Sequence, residues 1–240
     1  MQKNINTPRK SCYTCMRPFV TCICEQIRPF QTKTCFIILM HPKEYKKEKN
    51  GTGYMTKLQL ENSEIIVGVD FTSNGRVNEI LANKNYSSFL LYPGKNSFNL
   101  SVKNSVEVEP FLGNDPHVFI LDGTWPCARK MLKLSKNLQQ LPKVSFDNTI
   151  KSKFSFKQQP EPLCLSTIES VYTVLNILNE RNFEHCNTKD FLLPFEKMNE
   201  YQMEYILNPP ENSYRPNTKK ELTPMDRYKK KTQRSVFYNK

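Results

Sequence analysis

The chain has 240 residues and a net charge of +12, from 35 lysines and arginines against 23 aspartates and glutamates. Hydrophobic residues make up 38% of it, enough for a sizeable core, which excludes a chain that is disordered throughout. The positive charge favours polyanionic partners, and we expect nucleic acid first. Because no run is apolar for long enough to form a signal peptide or a membrane span, we expect a cytoplasmic protein without a membrane partner.

Four of the eight cysteines lie together near the start of the chain, as Cys12, Cys15, Cys22 and Cys24. In a chain without a signal peptide, this paired spacing is more typical of metal binding than of disulfides. Four thiolates complete a tetrahedral zinc site and leave no ligand position for water, so we predict one structural Zn²⁺. Reduced thiols or a redox pair are the alternatives. We place this zinc module at residues 1–33.

Apolar runs and amphipathic stretches alternate in the next part of the chain. The predicted strands cover residues 34–40, 64–70 and 88–92, and the predicted helices follow Gly53 and span residues 77–81. Lys43 falls in a lysine-rich loop after the first strand, where it would contact RNA phosphates or form a solvated turn. Residues 95–115 are expected to be irregular.

The most informative stretch is an apolar run that breaks into Asp122-Gly123-Thr124-Trp125. Residues 118–121 are continuously apolar, as in a parallel strand that is covered on both faces, and Gly123 permits a tight turn. Asp122 therefore lies at the carboxyl end of a strand, where ligands bind in open α/β sheets. A carboxylate beside the single tryptophan is either a catalytic group or a helix-capping residue.

A helix should follow this strand, with Thr124 and Pro126 in its first turn. Its buried face has apolar residues at helical spacing, namely Ala128, Met131, Leu132 and Leu138. Another face of this helix carries Arg129, Lys133 and Lys136, and these three residues and Lys130 are predicted to contact RNA. A fifth strand is predicted at residues 142–146.

The last predicted helix begins at Ser166, which forms a capping box with Glu169. The free N–H groups at such a helix start would also suit a carboxylate ligand. Lys157, in the basic loop before this helix, is a further predicted RNA contact. From about residue 205 the chain is rich in proline, asparagine and lysine, so we predict an α/β catalytic domain at 34–205 and a basic tail at 206–240.

Strands that alternate with helices predict an α/β fold with a mostly parallel sheet and flanking helices. The sequence has neither a P-loop nor a GxGxxG pattern and has only seven glycines, so nucleotide hydrolysis and dinucleotide redox chemistry are poorly supported. Nothing in the sequence indicates an obligate protein partner.

Asp122-Gly123-Thr124-Trp125 resembles the motif that names the DTW-domain family, the tRNA-uridine aminocarboxypropyltransferases. Other family segments recur in the same order, namely the cysteine cluster, residues 41–44, 91–93 and 165–169, so that the resemblance covers roughly residues 10–180. It implies a SPOUT-like fold with a knotted cofactor site. It also implies that the protein binds S-adenosylmethionine and transfers the 3-amino-3-carboxypropyl group to N3 of a tRNA uridine.

The expected catalytic residues are Asp122, Thr124 and Trp125. Partial desolvation beside an apolar ring raises the proton affinity of a carboxylate, so Asp122 is the expected base. Trp125 would line the cofactor or stack on the uracil. The resemblance implies a cofactor site formed by Leu91, Tyr92, Pro93, Gly94, Leu121, Gly123, Leu165, Ser166, Thr167 and Glu169.

Two other functions stay open at this point. The same fold and cofactor could serve RNA methyl transfer, which yields S-adenosylhomocysteine instead of methylthioadenosine. A non-catalytic, zinc-containing RNA-binding protein would account for the charge and the cysteines, but it gives no role to Asp122 and Trp125.

Overall fold

The computed structural model describes residues 10–47, 50–94, 96–102, 112–113, 115–148, 152–154 and 164–209. Six strands in this part of the chain form one sheet: β1 Cys35–Met40, β2 Glu64–Val67, β3 Ser87–Leu91, β4 Phe98–Asn99, β5 Pro116–Asp122 and β6 Lys143–Ser145. Their order is β2-β1-β5-β3-β6-β4, and every neighbouring pair is parallel. The predicted α/β class with a mostly parallel sheet is confirmed, whereas the knotted cofactor site stays a prediction.

The α-helices in the described residues are α1 Pro42–Lys47, α2 Thr52–Gln59, α3 Gly75–Ala82, α4 Trp125–Leu134, α5 Lys136–Gln139, α6 Thr167–Glu180 and α7 Leu193–Leu207. Two short 3₁₀ turns, Phe19–Thr21 and Cys24–Gln26, lie before β1. None of the helices that the structure describes is both long and apolar enough to cross a membrane.

Helices cover both faces of the sheet. Phe119 of β5 packs in a buried cluster with side chains of α3, α4 and α5, whereas Val118 and Ile120 pack in a second cluster with α2, α6 and α7. Burial on both faces explains why residues 36–40 of β1 and 118–121 of β5 are continuously apolar, because little of either face meets water. The cysteine segment is joined to this core, since Cys15 and Ile23 belong to the second cluster.

Some local predictions need correction. The loop expected after β1 is α1, which begins directly after His41, whose carbonyl accepts hydrogen bonds from the N–H groups of Glu44 and Tyr45. The strand expected at 64–70 ends at Val67, because its partner β1 ends at Met40, whose carbonyl accepts the N–H of Gly68. The stretch expected to be irregular contains β4, and α7 was not predicted.

The helix expected to run from Thr124 to Leu138 is broken at Ser135, which ends α4 and precedes α5. The buried Ser135 hydroxyl accepts a hydrogen bond from the Phe71 N–H at 2.9 Å. This contact with a distant loop fixes Ser135 in an extended conformation. The sequence pattern predicts Lys136 on one helix face with Arg129 and Lys133. This prediction is wrong, because Lys136 lies on α5 and the other two residues lie on α4.

Candidate active site

A cavity of about 560 Å³ opens at the carboxyl ends of β5, β3 and β6. Most of the predicted catalytic and cofactor-binding residues line it, namely Leu91, Tyr92, Pro93, Leu121, Asp122, Gly123, Thr124, Trp125, Leu165, Ser166 and Thr167. Gly94 and Glu169 are not among its lining residues. Its volume falls within the roughly 300–1,000 Å³ range of small-molecule sites.

Asp122 is the last residue of β5 and pairs with Met40 at the end of β1. Its side chain is only 6% exposed, and its Oδ1 accepts a hydrogen bond of 2.5 Å from the Thr167 hydroxyl. Thr167 is the first residue of α6, so this bond joins the turn formed by residues 122–125 to a helix from another part of the chain. The N-cap residue of α4 is Thr124, so Asp122 is not the N-cap of this helix.

The start of α2 packs directly against this carboxylate. A Cβ atom built on Gly53 would lie 2.5 Å from Asp122 Oδ2 and 2.7 Å from its Cγ, distances at which atoms overlap. Only a residue without a side chain allows the helix backbone to approach so closely. Gly53 thus belongs to the site, although a glycine inside a helical pattern was the only sequence signal for it.

Two aromatic rings stand beside Asp122 in the cavity wall. The rings of Tyr92 and Trp125 lie edge to face, with centroids 6.3 Å apart and an interplanar angle of 63°. Such rings offer apolar faces to a flat heterocycle and tolerate a cationic centre. The predicted pairing of a carboxylate with a large aromatic side chain is therefore present in the cavity.

The capping box at the start of α6 is formed as predicted. Glu169 Oε2 accepts hydrogen bonds from the Ser166 N–H and hydroxyl and from the Ser152 hydroxyl, and its Oε1 accepts from the Lys153 N–H at 2.6 Å. These bonds tie residues 152–154 to the helix start, so the observed contacts of Glu169 are structural. Its predicted contact with a cofactor stays a prediction.

His41, which sequence reasoning did not assign to the site, lies at the turn after β1. The backbone N–H of His41 donates to the Asp122 carbonyl at 2.9 Å. A Cβ atom built on Gly123 would lie 3.3 Å from the Cβ of His41. Burial lowers the pKa of the imidazole, and the positive charges of Lys43 and Lys130 lower it further. The neutral ring accepts a hydrogen bond at Nδ1 from the Lys43 N–H. Through this backbone bond and its packing against Gly123, His41 holds the turn formed by residues 122–125 in place.

Other parts of the wall were also missed. They lie at the carboxyl end of β6, around the starts of α2 and α6 and in residues 152–154, and they are Asn50, Gly51, Thr52, Ser145, Phe146, Asn148, Phe154, Cys164 and Ser170. Of these, Phe146 had a sequence signal, because it ends the predicted fifth strand at the same sheet edge as Asp122.

The four clustered cysteines meet the geometric demands of zinc. All four sulfur atoms lie within 4.8 Å of one another, with Cys12 and Cys24 3.6 Å apart and Cys15 and Cys22 3.7 Å apart. A tetrahedron of zinc–sulfur bonds of about 2.3 Å has edges of about 3.8 Å. The N–H groups of Cys15 and Thr14 lower the pKa of Cys12 to about 6, whereas burial raises the pKa of Cys22 and Cys24, so the zinc assignment rests on the sulfur geometry.

The cysteine segment also touches the cavity wall. Arg17 is 2% exposed, its Nε donates to the Thr21 carbonyl at 2.9 Å, and its Nη1 donates to Asn50 Oδ1 at 2.8 Å. Asn50 lines the cavity and precedes α2. A change in the fold of the cysteine segment would therefore also shift Asn50 and the start of α2, where Gly53 lies.

The residues predicted to contact RNA lie on different helices of the structure. Arg129, Lys130 and Lys133 are exposed on α4, which starts at the cavity, whereas Lys136 is exposed on α5. Lys43 is exposed on α1, and Lys157 and the predicted tail from residue 210 onward lie outside the described residues.

A family model and several curated proteins resemble this chain in sequence. A family model described as the DTW domain matches residues 9–203. Three curated relatives are named tRNA-uridine aminocarboxypropyltransferase 2. The Mus musculus protein is 26% identical over 205 residues, which are 82% of this chain and 65% of that protein. The Macaca fascicularis protein is 24% identical over 204 residues, again 82% and 65%. The Drosophila melanogaster protein is 32% identical over 181 residues, 72% of this chain and 68% of that protein.

The chain thus spans about 65% of the length of the mouse and macaque relatives. No solved structure matches the chain. The DTW domain model, in contrast, extends over residues 9–203 and so includes the cysteine cluster, Asp122 and Thr167. On this match and on the Drosophila relative, the chain belongs to the DTW domain family.

Proposed function

We propose that this protein is an S-adenosylmethionine-dependent transferase that places a 3-amino-3-carboxypropyl group on N3 of a tRNA uridine. The observation that carries the proposal is the buried Asp122 carboxylate in a cavity at the carboxyl edge of a parallel sheet, beside Trp125 and Tyr92. The names of the family relatives support the reaction class, and the net charge of +12 suits an RNA substrate.

The residues of the cavity fit S-adenosylmethionine by size and chemistry. The cavity has space for a ligand of this size, an apolar and aromatic wall, and the N-terminus of the 14-residue helix α6 at its edge. The free N–H groups of a helix start suit a carboxylate. Leu91 to Pro93 and Leu165 to Thr167 would form most of the contacts, with Trp125 available to a sulfonium or to the uracil ring.

Asp122 would act as the base. The imide N3 must lose its proton before its electron pair can form a bond to carbon, and Asp122 would accept this proton. S-adenosylmethionine supplies the carbon next to its sulfonium, whose bonding electrons return to sulfur as methylthioadenosine leaves. Thr167 would hold the carboxylate in position through its hydrogen bond to Oδ1. The remaining rate acceleration would come from holding the two reactants in line.

Zinc has no part in this chemistry. Four cysteine ligands leave no open coordination position, so Zn²⁺ bound by Cys12, Cys15, Cys22 and Cys24 would stabilise the fold. A SPOUT-like knot around the cofactor remains part of the proposal through the family resemblance.

Product analysis tests the proposed reaction. Purified protein is incubated with S-adenosylmethionine and tRNA from cells that lack the protein, and both the small-molecule product and the modified nucleoside are identified by mass spectrometry. The proposal requires methylthioadenosine together with aminocarboxypropyluridine. S-adenosylhomocysteine with a methylated nucleoside would instead assign methyl transfer. No turnover, with intact tRNA binding, would assign a non-catalytic RNA-binding role.

A further inference from the structure

The cysteine segment exposes large apolar side chains that its own fold does not need. Residues 10–19 form a hairpin in which Ser11 bridges Pro18 and the Phe19 N–H donates to the Lys10 carbonyl. Tyr13 in its turn is 94% exposed and Val20 just beyond it is 85% exposed, and Met16 and Phe19 are exposed as well. A small module that places so many large apolar groups in water is typical of a binding surface.

Tyr13 lies near a second tyrosine, Tyr54. The Tyr54 hydroxyl donates to the carbonyl of Thr14, the residue after Tyr13, at 3.2 Å. A third tyrosine, Tyr45, lies on α1, the helix that precedes α2 in the chain. Tyr45 is itself 60% exposed on α1. We call Tyr13, Tyr45 and Tyr54 the tyrosine rim.

The tyrosine rim borders the cavity. Glu44, next to Tyr45, lines the cavity, and so do Asn50, Gly51 and Thr52, just before Tyr54. Arg17 holds the hairpin to this wall through its 2.8 Å hydrogen bond to Asn50. For a polymer whose reacting base enters the cavity, these rings lie within reach of the neighbouring units.

The charges beside the tyrosine rim match a phosphate backbone. Lys43 and Lys46 are exposed on α1, the helix that carries Tyr45, and Lys10 is exposed at the base of the hairpin. Exposed rings together with lysines are characteristic of surfaces that bind single-stranded nucleic acid, where bases stack on the rings and cations contact the phosphates. A protein partner would more often require a continuous apolar patch with few lysines at its centre.

We infer that the tyrosine rim binds the unpaired nucleotides that flank the target uridine, with Tyr13 and Tyr45 as stacking platforms and Lys43 and Lys46 as phosphate contacts. The inference rests on the proposed function in that the uridine enters the cavity. It assigns to the cysteine module a role in substrate binding in addition to its structural one.

Binding to a simple probe tests the inference. The full chain is titrated with a uridine-rich single strand of about 12 nucleotides and with a duplex RNA of equal length. We expect Tyr13→Ala and Tyr45→Ala each to weaken binding to the single strand roughly 5- to 100-fold, the usual effect of losing one base-stacking ring, while duplex binding changes less than about twofold. Equal losses for both probes would overturn the inference.

Matched variants isolate the ring. Tyr13→Phe and Tyr45→Phe keep the stacking face and should bind the single strand as the wild type does, so a loss as large as that of the alanine variants would overturn stacking. Tyr86→Ala, an exposed tyrosine at the opposite, amino-terminal edge of the sheet, should leave binding unchanged. Zinc content and thermal melts show whether each variant is folded. Because Tyr13 and Tyr45 lie on different elements, one variant still tests the inference if the other fails to fold.

The same preparations separate this inference from the proposed reaction. If the wild type forms aminocarboxypropyluridine but the alanine variants bind the single strand normally, the tyrosine rim is not the RNA surface and the reaction stands. If the wild type gives no such product while binding depends on the two rings, the reaction is wrong and the RNA surface stands.

Discussion

The hydroxyl of Thr167 donates a 2.5 Å hydrogen bond to Oδ1 of Asp122, joining residues that lie 45 positions apart in the sequence. The bond connects the first residue of α6 to the carboxyl end of β5, so the position of the proposed base depends on how the helix packs on the sheet. A donor to an ionised carboxylate stabilises the ionised form, which is the form that acts as a base.

Thr167→Val is expected to slow turnover and to move the acidic limb of its pH profile to higher pH. Without the donor, the carboxylate binds a proton more readily, and activity is lost at a higher pH as the solution is acidified. Hydrogen bonds to charged groups contribute about 1.5–3 kcal/mol, which corresponds to about 1–2 pH units. Single-turnover rates measured from pH 5 to 9 give the limb directly. Thr167→Ser keeps the hydroxyl and should retain the wild-type profile, so an unshifted limb in the valine variant would contradict the positioning role.

Asp122→Asn is expected to reduce product formation by roughly 10²- to 10⁴-fold, the usual contribution of general base catalysis. Asparagine keeps the shape and can still accept the Thr167 hydrogen bond, so the thermal midpoint and S-adenosylmethionine binding should change little. Single-turnover kinetics with saturating tRNA, run beside calorimetric binding and a thermal melt, give the three quantities. Turnover near that of the wild type would exclude the base role and leave positioning as the source of catalysis.

Local sequence patterns placed Asp122 correctly, because a doubly covered strand is continuously apolar and Gly123 marks where it ends. The same patterns could not reveal its contact with Thr167, which depends on packing between distant segments. Nor could they reveal the break at Ser135, because the apolar spacing continues to Leu138 and the break depends on a bond to Phe71, 64 residues away. The glycine in α2 was visible, but its reason, the closeness of Asp122, exists only in the folded chain.

Removal of zinc is expected to destabilise the whole domain, because Cys15 and Ile23 belong to the main core. Structural zinc contributes roughly 10–16 kcal/mol in small modules, so chelation should lower the thermal midpoint and release hydrogen-exchange protection in residues 10–33. Elemental analysis should find one zinc per chain. Cys12→Ser should lower that content and Cys186→Ser, outside the cluster, should not. A metal-free protein with an unchanged midpoint would contradict the assignment.

Affinity for tRNA is expected to fall steeply with salt, and the exposed basic residues of α4 should contribute to that dependence. If Arg129, Lys130 and Lys133 bind RNA phosphates, their triple alanine variant should show a log–log salt slope reduced by about 0.7–0.9 for each phosphate that it no longer binds. Lys84→Ala, which removes an exposed cation just before β3 at the other edge of the sheet, is the control and should keep the wild-type slope. If the triple variant also keeps that slope, α4 does not contact the RNA.

Gly53→Ala adds only one methyl group, but it is expected to impair catalysis strongly. The added methyl would lie 2.5 Å from Asp122 Oδ2, so either the carboxylate or the start of α2 must move. Forcing an extra methyl into a packed site costs about 1–3 kcal/mol of stability, and a displaced base should lower single-turnover rates while leaving the affinity for RNA intact.

Gly75→Ala is the matched control, since Gly75 also lies in the first turn of a helix but has open space around its Cβ position. It should keep full activity and gain a few tenths to about 1 kcal/mol of stability, because alanine restricts the unfolded chain. Equal activity in the two alanine variants would mean that the carboxylate tolerates displacement and that the close approach of α2 serves packing alone.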